Sequence, residues 1–74
     1  MIFERVKQLA VSEMGVDGDK ITLTTSLKDM GLDSLDAIEL IMAIEEEYSI
    51  EISEEDARQM ETMENIVAYI EKHQ

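Results

Sequence analysis

The stretch that decides the fold is DSLDAIELIMAIEEEY, which runs from Asp33 to Tyr48. Its apolar residues recur at intervals of three and four, which is typical of an amphipathic helix in a bundle. We predict a helix over Ser34–Tyr48 with Asp33 or Ser34 as its N-cap. Asp36 lies in the first turn, where a negative charge suits the helix dipole.

This predicted helix carries apolar side chains on two sides. With successive residues about 100° apart, one group forms the stripe expected to face a core: Ala37, Leu40, Ile41, Ile44 and Tyr48. A second row lies about 140° from that stripe, too far round to share its core face: Leu35, Ile38 and Met42. Carboxylates flank the second row: Asp36, Glu39, Glu45 and Glu46. We interpret this row as a docking surface whose acids orient a partner; the alternative is that the bundle buries the helix on two sides.

Helical periodicity and capping residues predict three further helices. An amphipathic helix opens the chain and stops at Gly15. Ser53 with Asp56 resembles a capping box that starts a short helix through about Gln59, and Thr62 can cap the last helix. The fold class is therefore all-α: a small four-helix bundle of three longer helices and one short one, forming one domain over residues 1–74.

The first two helices are separated by a long connection over Val16–Asp33, where helical period is lost and glycines and threonines accumulate. Loops longer than about 12 to 15 residues are uncommon and are usually functional. We expect apolar side chains to pin this loop onto the core: Ile21, Leu23, Leu27 and Met30.

Composition excludes several classes of function. Eighteen acidic and six basic residues give a formal net charge of −12, which repels nucleic acid and anionic lipid and attracts proteins with Lys/Arg patches. The absence of Cys excludes disulfides, thiolate zinc sites and a cysteine nucleophile. No apolar stretch approaches the roughly 18 residues of a membrane span, so we expect no membrane insertion and a cytoplasmic location.

Ser34 follows the long loop and opens the central helix. One interpretation is an ordinary N-cap; the other is a hydroxyl offered at the positive end of a helix, where an attached phosphate would meet free N–H groups. Ser34 is not a predicted triad nucleophile, because the one His of the chain is His73, expected as a frayed surface residue. We therefore predict neither a catalytic residue nor a metal site, and any group on Ser34 must be attached by another enzyme.

Residues 31–48, GLDSLDAIELIMAIEEEY, followed by SIEIS at 49–53, strongly resemble the bacterial acyl carrier proteins of fatty-acid synthesis. The resemblance implies that Ser34 carries phosphopantetheine, donated by coenzyme A under a separate Mg²⁺-dependent transferase. It also implies that acyl intermediates travel as thioesters on the thiol of that arm and are sheltered between the helices. The chain has no Cys of its own, so a thiol supplied by the attached arm is consistent with its composition.

The resemblance also implies a partner surface and a set of partners. The family's recognition helix corresponds to Leu35, Ile38 and Met42 with Asp33, Asp36, Glu39, Glu45 and Glu46. Its expected partners are the phosphopantetheinyl transferase and fatty-acid synthesis enzymes with basic patches. We expect the protein itself to be a monomer. We expect Glu39→Lys or Asp36→Lys to weaken docking and leave the helix intact.

Two departures and two alternatives stay open. Relatives often have Pro where this chain has Ser53, and Phe is commoner than Tyr48 at the end of the second helix. The alternatives are a specialised polyketide or aminoacyl carrier, and an unmodified acidic adaptor that binds basic proteins and uses Ser34 only as a cap.

Overall fold

A computed structural model describes residues 1–73. Four α-helices follow one another along the chain, and the described residues contain no strand beyond an isolated bridge between Ser26 and Thr62. The helices are α1 (Ile2–Leu9), α2 (Ser34–Tyr48), α3 (Glu54–Arg58) and α4 (Met63–His73). The predicted bundle of three longer helices and a short one is confirmed.

The first helix ends where the sequence predicts. After Leu9 the chain continues as a π-helical turn over Ala10–Met14, and Gly15 follows in the left-handed region with φ 71°. A residue with a Cβ is strained in that region, whereas glycine adopts it without steric cost. The carbonyls in the last turn of a helix have no intrahelical donor. The Gly15 N–H supplies one of them by donating to the Val11 carbonyl at 3.0 Å.

The long connection between α1 and α2 is held in place by backbone hydrogen bonds to the start of α4. The Leu27 N–H donates to the Glu61 carbonyl at 2.8 Å, and the Glu64 N–H donates to the Leu23 carbonyl at 2.9 Å. Ile21 and Leu27 are buried, as predicted. The prediction was wrong for the Leu23 side chain, which is 43% exposed, because its backbone carbonyl makes the attachment instead.

The core lies where one face of each longer helix meets the others. From α2 it takes Leu40, Ile41 and Ile44, while Ala37 and Tyr48 pack against it half-buried, so the predicted core stripe is confirmed. The remaining buried side chains come from α1, the long connection, the segment before α4, and α4: Val6, Ala10, Ile21, Leu27, Met60, Met63, Ile66 and Ile70.

The short helix α3 is fixed at both its start and its side. The Ser53 hydroxyl accepts from the Asp56 N–H at 3.1 Å, which is half of the predicted capping box. The Asp56 carboxylate does not complete the box but accepts from the Tyr69 hydroxyl of α4 at 3.1 Å. Partial burial and this acidic neighbour raise the pKa of Tyr69. Thr62 caps α4 as predicted, accepting from the Asn65 N–H at 3.2 Å.

An ion pair joins the beginning of the chain to the end of α2. The Arg5 guanidinium donates from Nε and Nη2 to the two oxygens of Glu47, at 2.8 and 2.9 Å. The hydrogen bond and the positive charge of Arg5 lower the pKa of the Glu47 carboxyl below its ordinary value. This contact orients α1 against the half of α2 remote from Ser34.

Candidate functional site

The N-terminus of α2 is capped by two aspartates. Asp33 is the N-cap: its Oδ1 accepts from the Asp36 N–H at 2.9 Å, while Asp36 Oδ2 accepts from the Asp33 N–H at 3.3 Å. This reciprocal arrangement is a capping box. Ser34 is the first helical residue and is exposed to solvent. Of the two caps that the sequence allows, the structure therefore uses Asp33, and the Ser34 hydroxyl is not consumed by capping.

Two grooves meet at Ser34. The first, the α2–α3 groove, has a volume of about 430 Å³ and is lined by Ser34, Ala37, Ile38, Ile41, Glu54, Ala57, Arg58 and Met60. The second, the α2–loop groove, has a volume of about 490 Å³ and is lined by Ser26, Leu27, Lys28, Leu32, Asp33, Ser34, Ala37, Met60 and Glu61. A group attached to the Ser34 oxygen therefore has two open, partly apolar depressions beside it.

Sequence reasoning missed the far wall of the α2–α3 groove, which consists of Glu54, Ala57 and Arg58 on α3. A helix of five residues is too short for its periodicity to show which side faces a neighbour. The lone basic residue among the acids of this segment was the only available signal.

The second apolar row of α2 lies on the surface. Leu35 is 70% exposed, Ile38 is 51% exposed and Met42 is 60% exposed, whereas Leu40 and Ile44 on the opposite side are fully buried. Burial of α2 on two sides, the alternative interpretation of this row, is therefore wrong. We call Leu35, Ile38 and Met42 the apolar strip.

Only some of the predicted acidic residues border the apolar strip. Glu39 and Glu46 are exposed and share a shallow surface depression with Met42. Glu45 is directed elsewhere, because its Oε2 accepts from the Ile52 N–H at 2.8 Å and so holds the chain between α2 and α3. The structure thus brings two of the three predicted glutamates to the strip, and the third has a structural contact.

Asp33 and Asp36 lie at the Ser34 end of the strip, but both carboxylates are engaged in the capping box. Asp36→Lys, which the sequence predicts to leave the helix intact, therefore also alters the helix cap. That change removes one of the two capping hydrogen bonds and puts a cation at the positive end of the helix dipole. Glu39→Lys reverses a charge beside the apolar strip without altering the helix cap, so it tests docking more directly than Asp36→Lys.

Negative charge is concentrated in one part of the chain. Residues 33–64, which include α2, α3 and the start of α4, contain twelve carboxylates and a single basic residue, Arg58. Residues 1–32 contain five carboxylates and four basic residues. The part of the chain that contains Ser34 and the apolar strip therefore carries most of the negative charge, and a concentration of negative charge attracts positively charged groups.

The residues that line the two grooves beside Ser34 include no histidine. The imidazole of His73, expected to be a frayed surface group, is stacked on Tyr69 with ring centroids 4.0 Å apart, in the last turn of α4. Within residues 1–73 no group of three or more His, Asp or Glu side chains could hold a metal ion, and no helix is long and apolar enough to cross a membrane.

The site fits a prosthetic group attached through an oxygen. The hydroxyl is exposed at the first turn of α2, where backbone N–H groups and the helix dipole favour an attached phosphate. The adjoining grooves offer apolar walls to whatever the attached arm carries.

Comparison with known proteins agrees with this chemistry. The family model described as the phosphopantetheine attachment site matches residues 4–70. The chain is 44% identical to the acyl carrier protein of Bdellovibrio bacteriovorus over 72 residues, which cover 96% of this chain and 92% of the relative. It is 43% identical to the acyl carrier protein of Akkermansia muciniphila, with 99% and 92% covered, and 42% identical to that of Clostridium acetobutylicum, with 99% and 96% covered. The chain belongs to the acyl carrier protein family, whose members are carriers and not catalysts, and phosphopantetheine is its prosthetic group.

Proposed function

We propose that Ser34 is the attachment residue and that the protein carries acyl intermediates of fatty-acid synthesis to the enzymes that act on them. The observation that carries this proposal is the exposed, non-capping hydroxyl of Ser34 at the junction of two grooves. The serine oxygen bonds to the phosphorus that bears pantetheine in coenzyme A, the P–O bond of the pyrophosphate linkage breaks, adenosine 3′,5′-bisphosphate leaves, and the hydroxyl proton passes to a base of the transferase. The acyl group is then held as a thioester on the thiol of the arm.

The attachment needs a separate transferase. The residues that line the grooves supply neither an imidazole nor a metal cage to activate the hydroxyl. The base and the Mg²⁺ therefore come from the transferase, which must approach the exposed start of α2. The apolar strip and its acidic neighbours offer it a docking surface beside the reacting oxygen.

The α2–α3 groove suits a sheltered alkyl chain. Its walls are mainly aliphatic, from Ala37, Ile38, Ile41, Ala57 and Met60. Its volume of about 430 Å³ lies within the usual range of about 300 to 1,000 Å³ for small-molecule sites. Burying an alkyl chain there removes apolar surface from water, and each methylene contributes about 0.8 kcal/mol when fully buried.

Docking of the proposed partners is weak and depends on salt. The apolar strip supplies contact area, while Glu39 and Glu46 attract the Lys/Arg patches that we expect on fatty-acid synthesis enzymes. Exposed charges interact over about 8 Å at physiological ionic strength, so added salt reduces the association rate. Because the acyl group is tethered, a short-lived complex still gives a high local concentration at the partner's active site.

The test is intact-mass analysis before and after incubation with coenzyme A and a phosphopantetheinyl transferase. We expect the mass to rise by one phosphopantetheine, and Ser34→Ala to abolish the increase. Ser26→Ala is the matched control, because Ser26 lines the same α2–loop groove and its hydroxyl accepts from the Asp29 N–H. An unchanged mass, or equal modification of the Ser34→Ala variant, would overturn the proposal and leave an acidic adaptor.

A second measurement tests the pathway. The modified protein is loaded with a short acyl group and supplied to purified bacterial fatty-acid synthesis enzymes. We expect the chain to be elongated on the carrier. Efficient modification without elongation would identify a specialised carrier instead. The cytoplasmic location, the monomeric state and the single domain stay predictions.

A further inference from the structure

Arg58 is the one cation among the twelve carboxylates of residues 33–64, and it lines the same groove as Ser34. Its side chain lines the α2–α3 groove together with Ser34, from the opposite wall on α3. A single basic residue in so acidic a segment calls for a physical account. The simplest is its hydrogen bond to Glu54, four residues earlier in the same helix.

The contact with Glu54 leaves most of the guanidinium available. It is one hydrogen bond of 3.2 Å from Nη2, and the two side chains are 76% and 84% exposed. Exposed ion pairs at this spacing contribute little to stability, because water and dissolved salt screen them. A guanidinium has five N–H donors in a planar fork, and within residues 1–73 the remaining donors of Arg58 make no hydrogen bond.

An anion attached to Ser34 would need such a donor. A phosphodiester on this oxygen carries one negative charge and lies beside the carboxylates of Asp33 and Asp36, which repel it. The first turn of α2 offsets part of that repulsion through its dipole. Arginine binds phosphate oxygens with two parallel N–H donors, a geometry that lysine does not have.

We propose that Arg58 is a positioning residue that binds the phosphodiester formed at Ser34 and directs the attached arm into the α2–α3 groove. This assignment rests on the proposed function, since it requires the modification. Lys28 is the natural comparator, because it lines the α2–loop groove on the other side of Ser34. If the arm instead lies in the α2–loop groove, Lys28 is the cation that it meets.

The experiment compares the unmodified and modified proteins by nuclear magnetic resonance. The chain contains two arginines, so the side-chain Nε–Hε region holds one signal from Arg58 and one from Arg5. Arg5 is the internal control because its Nε already donates to Glu47 at 2.8 Å. We expect modification to shift the Arg58 signal and leave that of Arg5 in place, with the shift reduced at high salt.

The phosphorus signal of the arm supplies the second readout. We expect Arg58→Gln to change the ³¹P chemical shift of the modified protein, and Arg58→Lys to restore it only in part. Lys28→Gln and Lys72→Gln, which also remove one positive charge each, should leave it unchanged. Glu54→Ala removes the acceptor of the helical pair and leaves the guanidinium in place, so it should preserve the Arg58 response and show that this pair is not its cause.

The outcomes separate this assignment from the proposed function. No mass increase would overturn the proposed function and this assignment with it. A modified protein whose Arg58 signal does not move, or whose ³¹P signal responds to Lys28→Gln as strongly as to Arg58→Gln, would overturn the assignment of Arg58 alone.

Discussion

Asp33 and Asp36 cap each other across the first turn of α2, each carboxylate accepting the backbone N–H of the other residue, at 2.9 and 3.3 Å. The N–H groups of Asp33 and Asp36 at the start of the helix therefore have acceptors. The Ser34 hydroxyl, which lies between them in the sequence, is not needed for this capping. The residue that caps the helix and the residue that we propose as the attachment site are therefore neighbours with separate roles.

The first prediction separates those roles. Asp33→Ala removes the acceptor for the Asp36 N–H and should lower the free energy of unfolding by about 0.5 to 2 kcal/mol. Ser34→Ala removes an exposed hydroxyl and should change it by less than about 0.5 kcal/mol. Urea denaturation followed by circular dichroism measures both. Equal losses in the two variants would show that Ser34 is also needed for capping.

The second prediction contrasts the two sides of α2. Ile44 is fully buried, so Ile44→Ala should lower the free energy of unfolding by about 2 to 5 kcal/mol. Ile38 is 51% exposed, so Ile38→Ala should reduce the free energy of unfolding much less than Ile44→Ala does. It should slow modification by the transferase more than Ile44→Ala does. The measurements are urea denaturation and the modification rate. A stability loss at Ile38 as large as that at Ile44 would contradict the exposure of the apolar strip.

The third prediction concerns electrostatic docking. Glu39→Lys reverses an exposed charge beside Met42 and should slow modification or acyl transfer at low salt, with helicity unchanged. The difference from the parent protein should shrink as salt is added. Glu64→Lys, at an exposed position in the first turn of α4, is the control for net charge alone. Identical kinetics at low salt for the parent and Glu39→Lys would refute the docking role.

The fourth prediction follows from the Arg5–Glu47 ion pair. Because the pKa of Glu47 is lowered in the folded protein, its contribution to stability is present above the ordinary carboxyl pKa and is lost as pH falls through the lowered value. Glu47→Gln should therefore lower the melting temperature near neutral pH, and its melting curve should approach that of the parent in acid.

The matched control for this ion pair is Glu46→Gln. Glu46 is exposed and next in the chain, and its removal relieves repulsion without breaking the contact with Arg5. We expect its melting temperature near neutral pH to equal or exceed that of the parent. A difference between Glu47→Gln and the parent that stays constant from neutral pH into acid would contradict the linkage.

The fifth prediction concerns the net charge of −12. Self-repulsion of carboxylates destabilises the compact state, and it is greatest where residues 33–64 concentrate them. Millimolar Mg²⁺ or added monovalent salt should raise the melting temperature by screening this repulsion. Thermal melts followed by circular dichroism over a salt series measure the effect, and a melting temperature indifferent to both additions would count against it.

Much of this protein is determined by local sequence. The period of the apolar residues determined the helices and their core faces, and Gly15 and Thr62 marked a helix end and a start. Two apolar rows about 140° apart cannot share one core face, so the helix alone predicted either a docking surface or burial on two sides. The structure decided between them by exposing Leu35, Ile38 and Met42. Ser34 was singled out by the motif around it.

The three-dimensional structure decided the features that helical periodicity leaves open, some of them local and some of them contacts between distant segments. Whether Asp33 or Ser34 caps α2 depends on side-chain geometry, and the direction of Glu45 depends on where the Ile52 N–H lies. Leu23 is attached through its carbonyl because the start of α4 offers an N–H there. The grooves at Ser34, with Arg58 in one and Lys28 in the other, exist only once α3 and the long connection pack against α2, since neither segment has a periodicity that predicts its orientation.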